Sequence, residues 1–290
     1  MSINRRRAAV LAVLAAVLAL VPATTASADS SRVVVLNGDF TEVVFALGFG
    51  KRVVGVDTSA TYPEAAARLP KIGYQRSLAA EPILALNPTL ILGSTSAGPP
   101  TVIEQLRAAG RDVRIHPTAT KLVDIGPKIR RIGKALGGVG PARAKKLANK
   151  VEVRLRRARR SVTAKRKPRV VFLYLRGQQV QQIGGKGSGA DAMIAAAGGL
   201  DVGRAAGIQG FRPLSPEALV ELKPDHIVTL SASLQSVGGV NGLLQLPGIA
   251  QTPAGRQRNV LAFDDQEFLG LGPRAPHALK ALIKGLGTAR

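Results

Sequence analysis

The chain has 290 residues, no cysteine, no tryptophan and a formal charge of +23 at neutral pH. The missing cysteine excludes disulfides and thiol chemistry and argues against a lipid anchor. Aromatics make up only 3% of residues, which removes the stacking surfaces of a single-strand nucleic-acid or sugar binder. The charge favours anionic partners, but it reads first as arginine usage on a solvated surface.

The first 28 residues read as an export signal. Arg5-Arg6-Arg7 is a basic start, Ala8 to Val21 an apolar run too short for a firm membrane span, and Ala26-Ser27-Ala28 a cleavage site. The mature chain is then expected to begin at Asp29 in a periplasmic or other extracytoplasmic space. Removing three arginines and no acid leaves +20.

Residues 29–120 read as an N-terminal α/β lobe. Residues 32–36 form a strand, Asn37-Gly38-Asp39 a loop and helix cap, and Phe40 to Leu47 a helix. A strand at 53–56 follows, then a loop over Ile72-Gly73-Tyr74-Gln75-Arg76. Later come a strand at 90–92, a helix at 102–109 and a strand at 113–115. Strands alternating with helices imply a parallel sheet.

Residues 121–167 change period. Ile125, Ile129, Ile132 and Leu136 fit one helix face. A glycine-rich break at 137–140 follows. Leu147, Val151, Leu155, Ala158 and Val162 then mark a long helix, expected to be a rigid connector between lobes. Residues 168–290 return to α/β alternation. A strand at 170–175 turns at Arg176-Gly177 into 180–183, then a helix runs from 190 to 197. After strand 227–230 comes a glycine-rich loop, then strand 260–262 and a last helix near 276–286.

One phrase occurs twice, 136 residues apart and without a gap. Leu78-Ala79-Ala80-Glu81-Pro82-Ile83-Leu84-Ala85-Leu86-Asn87-Pro88 returns as Leu214-Ser215-Pro216-Glu217-Ala218-Leu219-Val220-Glu221-Leu222-Lys223-Pro224. Each copy reads as a small-residue cap, a short helix with a glutamate in its first turn, a proline stop and an apolar strand. Two copies are too few for a solenoid. They suit two similar lobes facing each other across a cleft.

Several motifs carry a family resemblance: Gly73-Tyr74-Gln75-Arg76, Ile132-Gly133-Lys134-Ala135-Leu136-Gly137, the glycine-rich run from Gly184 to Met193, Gly210-Phe211-Arg212-Pro213-Leu214-Ser215-Pro216-Glu217 and Leu271-Gly272-Pro273-Arg274. Through them the chain resembles the substrate-binding proteins of bacterial ABC importers, and within these the haem-binding branch. The resemblance implies two Rossmann-like α/β lobes joined by one long α-helix, the class III periplasmic-binding-protein architecture. It implies a monomer that carries haem as transported ligand and meets the permease subunits of an ABC importer. No nucleic-acid partner is implied.

Tyr74 is then the expected axial ligand. Ferric iron is a hard acid and a phenolate a hard anionic donor. Arg76 would stabilise the anion; in an extended loop, i and i+2 share a side. Arg212 and Arg274 are candidates for haem propionates or the phenolate, because arginine matches carboxylate geometry. Lys71 is a weaker candidate, and Phe211 is expected either to line an apolar cleft or to sit in the core. The hairpin of the second lobe, Gln178-Gln179-Val180-Gln181-Gln182, offers no strong second donor, so five-coordinate iron is expected. Glu81 and Glu217 are expected to dock onto arginines of the permease, or to act as helix N-terminal charges.

Other readings find less support in the residues. His116, His226 and His277 share no metal-ligand spacing. Gly185-x-Gly187-x-Gly189 lacks both a paired acid and the Walker order, and no nucleophile elbow or catalytic triad stands out. The chain therefore reads as a binding protein, not an enzyme. Rival ligands on the same fold are cobalamin and ferric siderophores. A rival of another class is a basic secreted protein binding polyanions through 143–169.

Overall fold

The computed structural model describes residues 32–178, 180–213 and 215–288; the expected export signal, Gln179 and Leu214 lie outside the described residues. The N-terminal half holds strands β1 (Val33–Val35), β2 (Val53–Val56), β3 (Gly73–Tyr74), β4 (Ser77–Leu78), β5 (Leu90–Ser94) and β6 (Asp112–His116). The sheet is parallel, in the order β2-β1-β5-β6. Its central strands are apolar from Val33 to Val35 and from Leu90 to Leu92 because helices cover both faces. Val33 and Val35 enter one core and Val34 another, as strand alternation requires.

The C-terminal half holds β7 (Arg169–Arg176), β8 (Val180–Gly184), β9 (Leu200–Asp201), β10 (Phe211–Pro213), β11 (His226–Leu230) and β12 (Val260–Phe263). Their order is β10-β8-β7-β11-β12, with β9 beside the start of β7. β7 and β8 form the expected antiparallel hairpin. The glycine-rich stretch after β11 is not an open loop. It folds as helices Ser231–Ser236, Gly239–Gln245 and Pro253–Gln257. Leu243, Leu246 and Ile249 are buried there, and Gly238, at φ 86°, makes the left-handed break that starts the second helix.

The repeat is structural as well as textual. Its helices are Ala80–Leu84 and Pro216–Leu222. Equivalent residues Ile83 and Leu219 are fully buried, as are Ile91 and Ile227. Both copies leave the helix through a left-handed residue, Asn87 at φ 46° and Lys223 at φ 43°. Their starts differ. The Ser215 hydroxyl accepts from the Ala218 N–H at 3.3 Å, whereas Ala79 has no side chain able to cap.

Helices Ile125–Leu136 and Gly140–Arg160 link the two sheets. A Cβ on Gly140 would lie 2.3 Å from the Gly133 carbonyl oxygen, so two glycines permit the close crossing that begins the long helix. One continuous core runs from Val33 and Val35 through Ile129, Ile132, Val151 and Leu155 to Phe172 and Leu279. No helix among the described residues is long and apolar enough to cross a membrane.

Polar ties cross between the halves as well. Lys128, only 1% exposed, donates to Asp39 Oδ2 at 2.7 Å and to the Gly270 carbonyl at 2.8 Å. Gln266 Oε1 accepts from the Thr61 and Tyr62 N–H groups at 3.0 and 3.1 Å, while its Nε2 donates to the Gly38 carbonyl at 2.9 Å. Cutting a buried ion pair from one side leaves an unpaired charge, so Lys128→Ala is expected to cost about 3–5 kcal/mol in denaturant unfolding. Asp39→Asn combined with Lys128→Met should cost less than Lys128→Ala alone. A loss below about 1 kcal/mol for the single variant would show that the tie carries little of the stability.

Candidate functional site

Ligands of open α/β sheets bind beyond the carboxyl ends of the strands. In the N-terminal half that edge carries β3 and β4. The stretch expected to be a plain loop is a tight hairpin, with Tyr74 opposite Ser77 and residues 75–76 as its turn. The expectation that extended backbone sets Tyr74 and Arg76 on one side therefore fails; the turn decides their directions. Three backbone bonds hold the hairpin. Thr58 N–H donates to the Gly73 carbonyl at 2.9 Å, Gly98 N–H to the Gln75 carbonyl at 2.8 Å, and Leu78 N–H to the Gly98 carbonyl at 2.9 Å.

The side chain of Gln75 points into the protein. Its oxygen accepts from the Asn37 amide, and Asn37 Oδ1 accepts from the Ser94 N–H at 2.7 Å. Asn37 sits at the helix N-cap as expected, but its side chain does not cap; it braces the hairpin. Sequence reading missed this role, and the only signal was a polar residue following an apolar strand. With Gln75 turned inward, Tyr74 stands outward, 45% exposed, and Arg76 is exposed beside it. Among the described residues neither side chain has a partner within the protein.

In the second half, Phe211 and Arg212 lie on the edge strand β10, paired with β8. The Phe211 ring meets Tyr174 and Phe172 edge-on, at 5.8 and 6.2 Å between centroids. It is half-buried within an aromatic cluster that continues through Phe268 to Phe263. Arg212 is exposed. It stands 136 residues after Arg76, so the repeat offset extends back to a pair of exposed arginines, one per half.

Two expected ligand-binding cations are engaged elsewhere. Arg274 pairs with Glu42 at 3.2 Å, Asp264 at 3.1 Å and Glu267 at 3.5 Å, and its guanidinium lies 3.8 Å over the Tyr62 ring. Burial pushes the Glu42 carboxyl up from its ordinary pKa, against the pull of Arg274. Arg274 is thus an inter-lobe clamp with its charge already shared. A cavity of about 290 Å³ opens beside it, lined by Glu42, Phe45, Ala46, Tyr62, Pro63 and Pro273. That cavity does not include Tyr74. Lys71 donates to the Ala60 carbonyl at 2.9 Å and so pins the loop before Tyr62.

The histidines stay apart. His116 ends β6 and stacks on Phe40 at 6.3 Å, and His226 begins β11 half-buried. Burial lowers the pKa of both. His277 is exposed and bonded to Glu267. Glu81 and Glu217 are both exposed on their short helices. Glu217 Oε2 accepts from the Ser215 hydroxyl at 2.9 Å, and hydrogen bonds from its own backbone N–H and that hydroxyl hold its carboxyl below the usual pKa.

Comparison with known proteins follows the same architecture. The sequence model of the periplasmic binding protein family matches residues 33–267. The apo structure of the periplasmic heme-binding protein RhuT from Roseiflexus sp. RS-1 is 50% identical with a TM-score of 0.86, over 89% of this chain and 98% of that one. The periplasmic heme-binding protein BhuT, in complex with two hemes, is 38% identical with a TM-score of 0.81, over 88% and 97%. An uncharacterized ABC transporter substrate-binding lipoprotein of Bacillus subtilis, YvrC, is 28% identical over 71% of this chain and 65% of its own length. A vitamin B12-binding protein of Vibrio vulnificus is 32% identical over 41% of this chain and 43% of its own.

One buried acid beside the site generates a pH dependence. Asp57 follows β2 and is fully buried; its Oδ2 accepts from the Ser59 N–H at 3.0 Å, while Oδ1 has no partner among the described residues. Burial pushes its pKa from 3.8 up to about 6. The folded state therefore holds this proton more tightly than the unfolded state. The associated stability is full below about pH 4 and is lost as the pH rises through about 6. Asp57→Asn is expected to be more stable than the parent at pH 7 by about 1–3 kcal/mol, with the difference vanishing near pH 4. Thermal unfolding across that range checks this, and a pH-independent difference would discount the proton.

Proposed function

The chain belongs to the periplasmic binding protein family, and from that premise we propose that it captures haem between its two halves and delivers it to an ABC importer outside the cytoplasm. The observation that carries this reading is the end-to-end likeness, across both sheets and the connector, to heme-binding proteins up to 50% identical. The matches to vitamin B12-binding proteins span less than half of the chain. Cobalamin is therefore the second ligand to test, and a ferric siderophore the third.

The geometry supports the haem reading through its donors. Tyr74 is an exposed phenol on a braced turn, suited to ligating ferric iron from one side. Arg76 follows two residues later at the same turn and is exposed like Tyr74. Arg76 and Arg212, equivalent in the repeat and both without partners among the described residues, suit a ligand with two carboxylates. The Phe211 and Tyr174 rings give the second half an apolar wall. Tyr174 packs against Phe211 and lies under Arg176 at 5.0 Å, so it does not stand out as a second donor, which favours five-coordinate iron. None of these groups forms a nucleophile–base pair; the site binds, and its work is capture and release.

Tyr74→Phe is expected to abolish the tyrosinate-to-iron charge-transfer absorbance and to weaken haem binding more than about tenfold. Titration of the purified protein with haem, cobalamin and a ferric siderophore reads both effects. An unchanged haem spectrum in the variant would reject Tyr74, and tighter binding of cobalamin would reject haem.

Delivery needs a second surface. Glu81 and Glu217 are exposed, equivalent and one to each half, so a two-fold permease could engage both together. Helix N-terminal stabilisation is their other role, and mutation separates the two. Glu81→Ala with Glu217→Ala should leave folding and haem binding intact and abolish stimulation of the importer's ATPase. Normal coupling in the double variant would reduce these residues to helix charges.

A further inference from the structure

The long helix Gly140–Arg160 carries charges that the cleft does not use. Residues 140–169 hold thirteen lysines and arginines against a single acid, Glu152, which is already paired with Arg130 at 2.8 Å. The buried stripe of the helix is Ala144, Ala148, Val151, Leu155 and Ala158. With about 3.6 residues per turn, the opposite side presents Lys146, Lys150, Arg156, Arg157 and Arg160. All five are exposed, and among the described residues none has a partner within the protein.

Helix stability accounts for only part of this placement: Arg157 and Arg160 lie in the last turn, where the helix dipole favours cations. Arg143, Lys145 and Lys146 fall in the first two turns, where the helix dipole disfavours cations. Lys146 with Lys150, Lys150 with Arg154, and Arg156 with Arg160 set like charges four residues apart, which is also unfavourable. An anion bound along this face would offset these repulsions.

The shape of the face selects the anion. It is a row about 30 Å long, without a single aromatic in residues 140–169. Two exposed valines accompany the cations: Val139 at the turn before the helix and Val153 within it, at 56% and 49% exposure. A straight cationic row with small apolar side chains suits the headgroup plane of an anionic bilayer. It lacks the stacking groups that hold single-stranded nucleic acid.

Packing keeps this face apart from the docking glutamates. The buried stripe of the long helix belongs to the central core, whereas Ile83 and Leu219, beneath Glu81 and Glu217, belong to two separate cores on the far faces of the sheets. We propose that the outer face of Gly140–Arg160 adsorbs the protein to anionic phospholipid headgroups. Adsorption holds it at the membrane surface without consuming the residues offered to a permease, and it does not rest on the haem reading.

The test is co-sedimentation of the purified full chain with phosphatidylcholine vesicles containing about 30% phosphatidylglycerol, at about 0.1 M and 0.5 M salt. Binding is expected at the lower salt only, and not to pure phosphatidylcholine. Each cation at an anionic surface strengthens adsorption about fivefold, so Lys146→Gln, Lys150→Gln, Arg157→Gln and Arg160→Gln together should weaken it more than about 100-fold. Replacing Arg107, Lys186, Lys223 and Lys280 by Gln removes equal charge elsewhere and should weaken it far less. Should the quadruple variant melt early, the pairs Lys146/Lys150 and Arg157/Arg160 are changed separately, each expected to cost more than about tenfold. Equal losses in the helix and control variants, or equal binding to neutral vesicles, would overturn the proposal. Displacement from vesicles by duplex DNA or polyphosphate at matched phosphate concentration would overturn it in favour of a soluble polyanion. Haem titration of the same variants is read independently and should not change.

Discussion

The two halves are positioned by an ammonium group that has lost its water. Lys128 is 1% exposed, and a desolvated cation is tolerable only when it is paired and hydrogen-bonded. Its carboxylate partner Asp39 belongs to the first helix, and its carbonyl partner Gly270 lies beyond β12 in the other half. Both are satisfied together in only a narrow range of lobe placements. Gln266 applies the same logic with neutral groups, spending both ends of its amide on backbone from the first half. The Arg274–Glu42 pair adds a third tie. The spacing of the two halves is therefore set by buried polar groups, and the apolar core fills in around that spacing.

The same economy governs the hairpin. A six-residue turn cannot be rigid by itself, because two paired residues on each side make a marginal ladder. Here its base is tied to backbone on two flanks and its inward side chain to Asn37, which is itself held by the β5 backbone. The backbone that carries Tyr74 is thereby already ordered, so little backbone freedom remains to be lost on binding. Gln75 is as necessary to that arrangement as the residue it presents.

Much of this was legible in the sequence. Ile125, Ile129, Ile132 and Leu136 announced a helix by period, and all four are buried. The repeated phrase located two equivalent helices, down to the proline that follows each left-handed exit. What was not legible depends on distance along the chain. Gln266 meets residues more than 200 positions away, and no local pattern marks a glutamine for that. Lys128 reads as one more surface cation in a chain full of them. Arg274 was read as ligand-facing because arginine fits carboxylates, and it does meet carboxylates, but they are the protein's own. The glycines after β11 suggested an open loop, yet the leucines and isoleucine between them had cores to enter, and burial outweighed a weak local preference.

Duplication explains why the halves agree in some places and differ in others. Agreement is strict where geometry is shared: the buried Ile83 and Leu219, the left-handed Asn87 and Lys223, the exposed Glu81 and Glu217, the exposed Arg76 and Arg212. Divergence falls on the two residues before each arginine. One half has Tyr74-Gln75 on a short braced hairpin; the other has Gly210-Phe211 leading into an edge strand, where Pro213 replaces the pairing residue Ser77. A proline has no N–H to give to a second ladder, so β10 pairs on one side only. A partner with two-fold symmetry, as proposed above, would engage equal glutamates. A flat ligand held between the halves makes no such demand, because its two faces can be served by different chemistry. Under the haem reading proposed above, the contrast between Tyr74 on its hairpin and Phe211 in its aromatic cluster suits a donor on one face of the ligand and an apolar wall on the other.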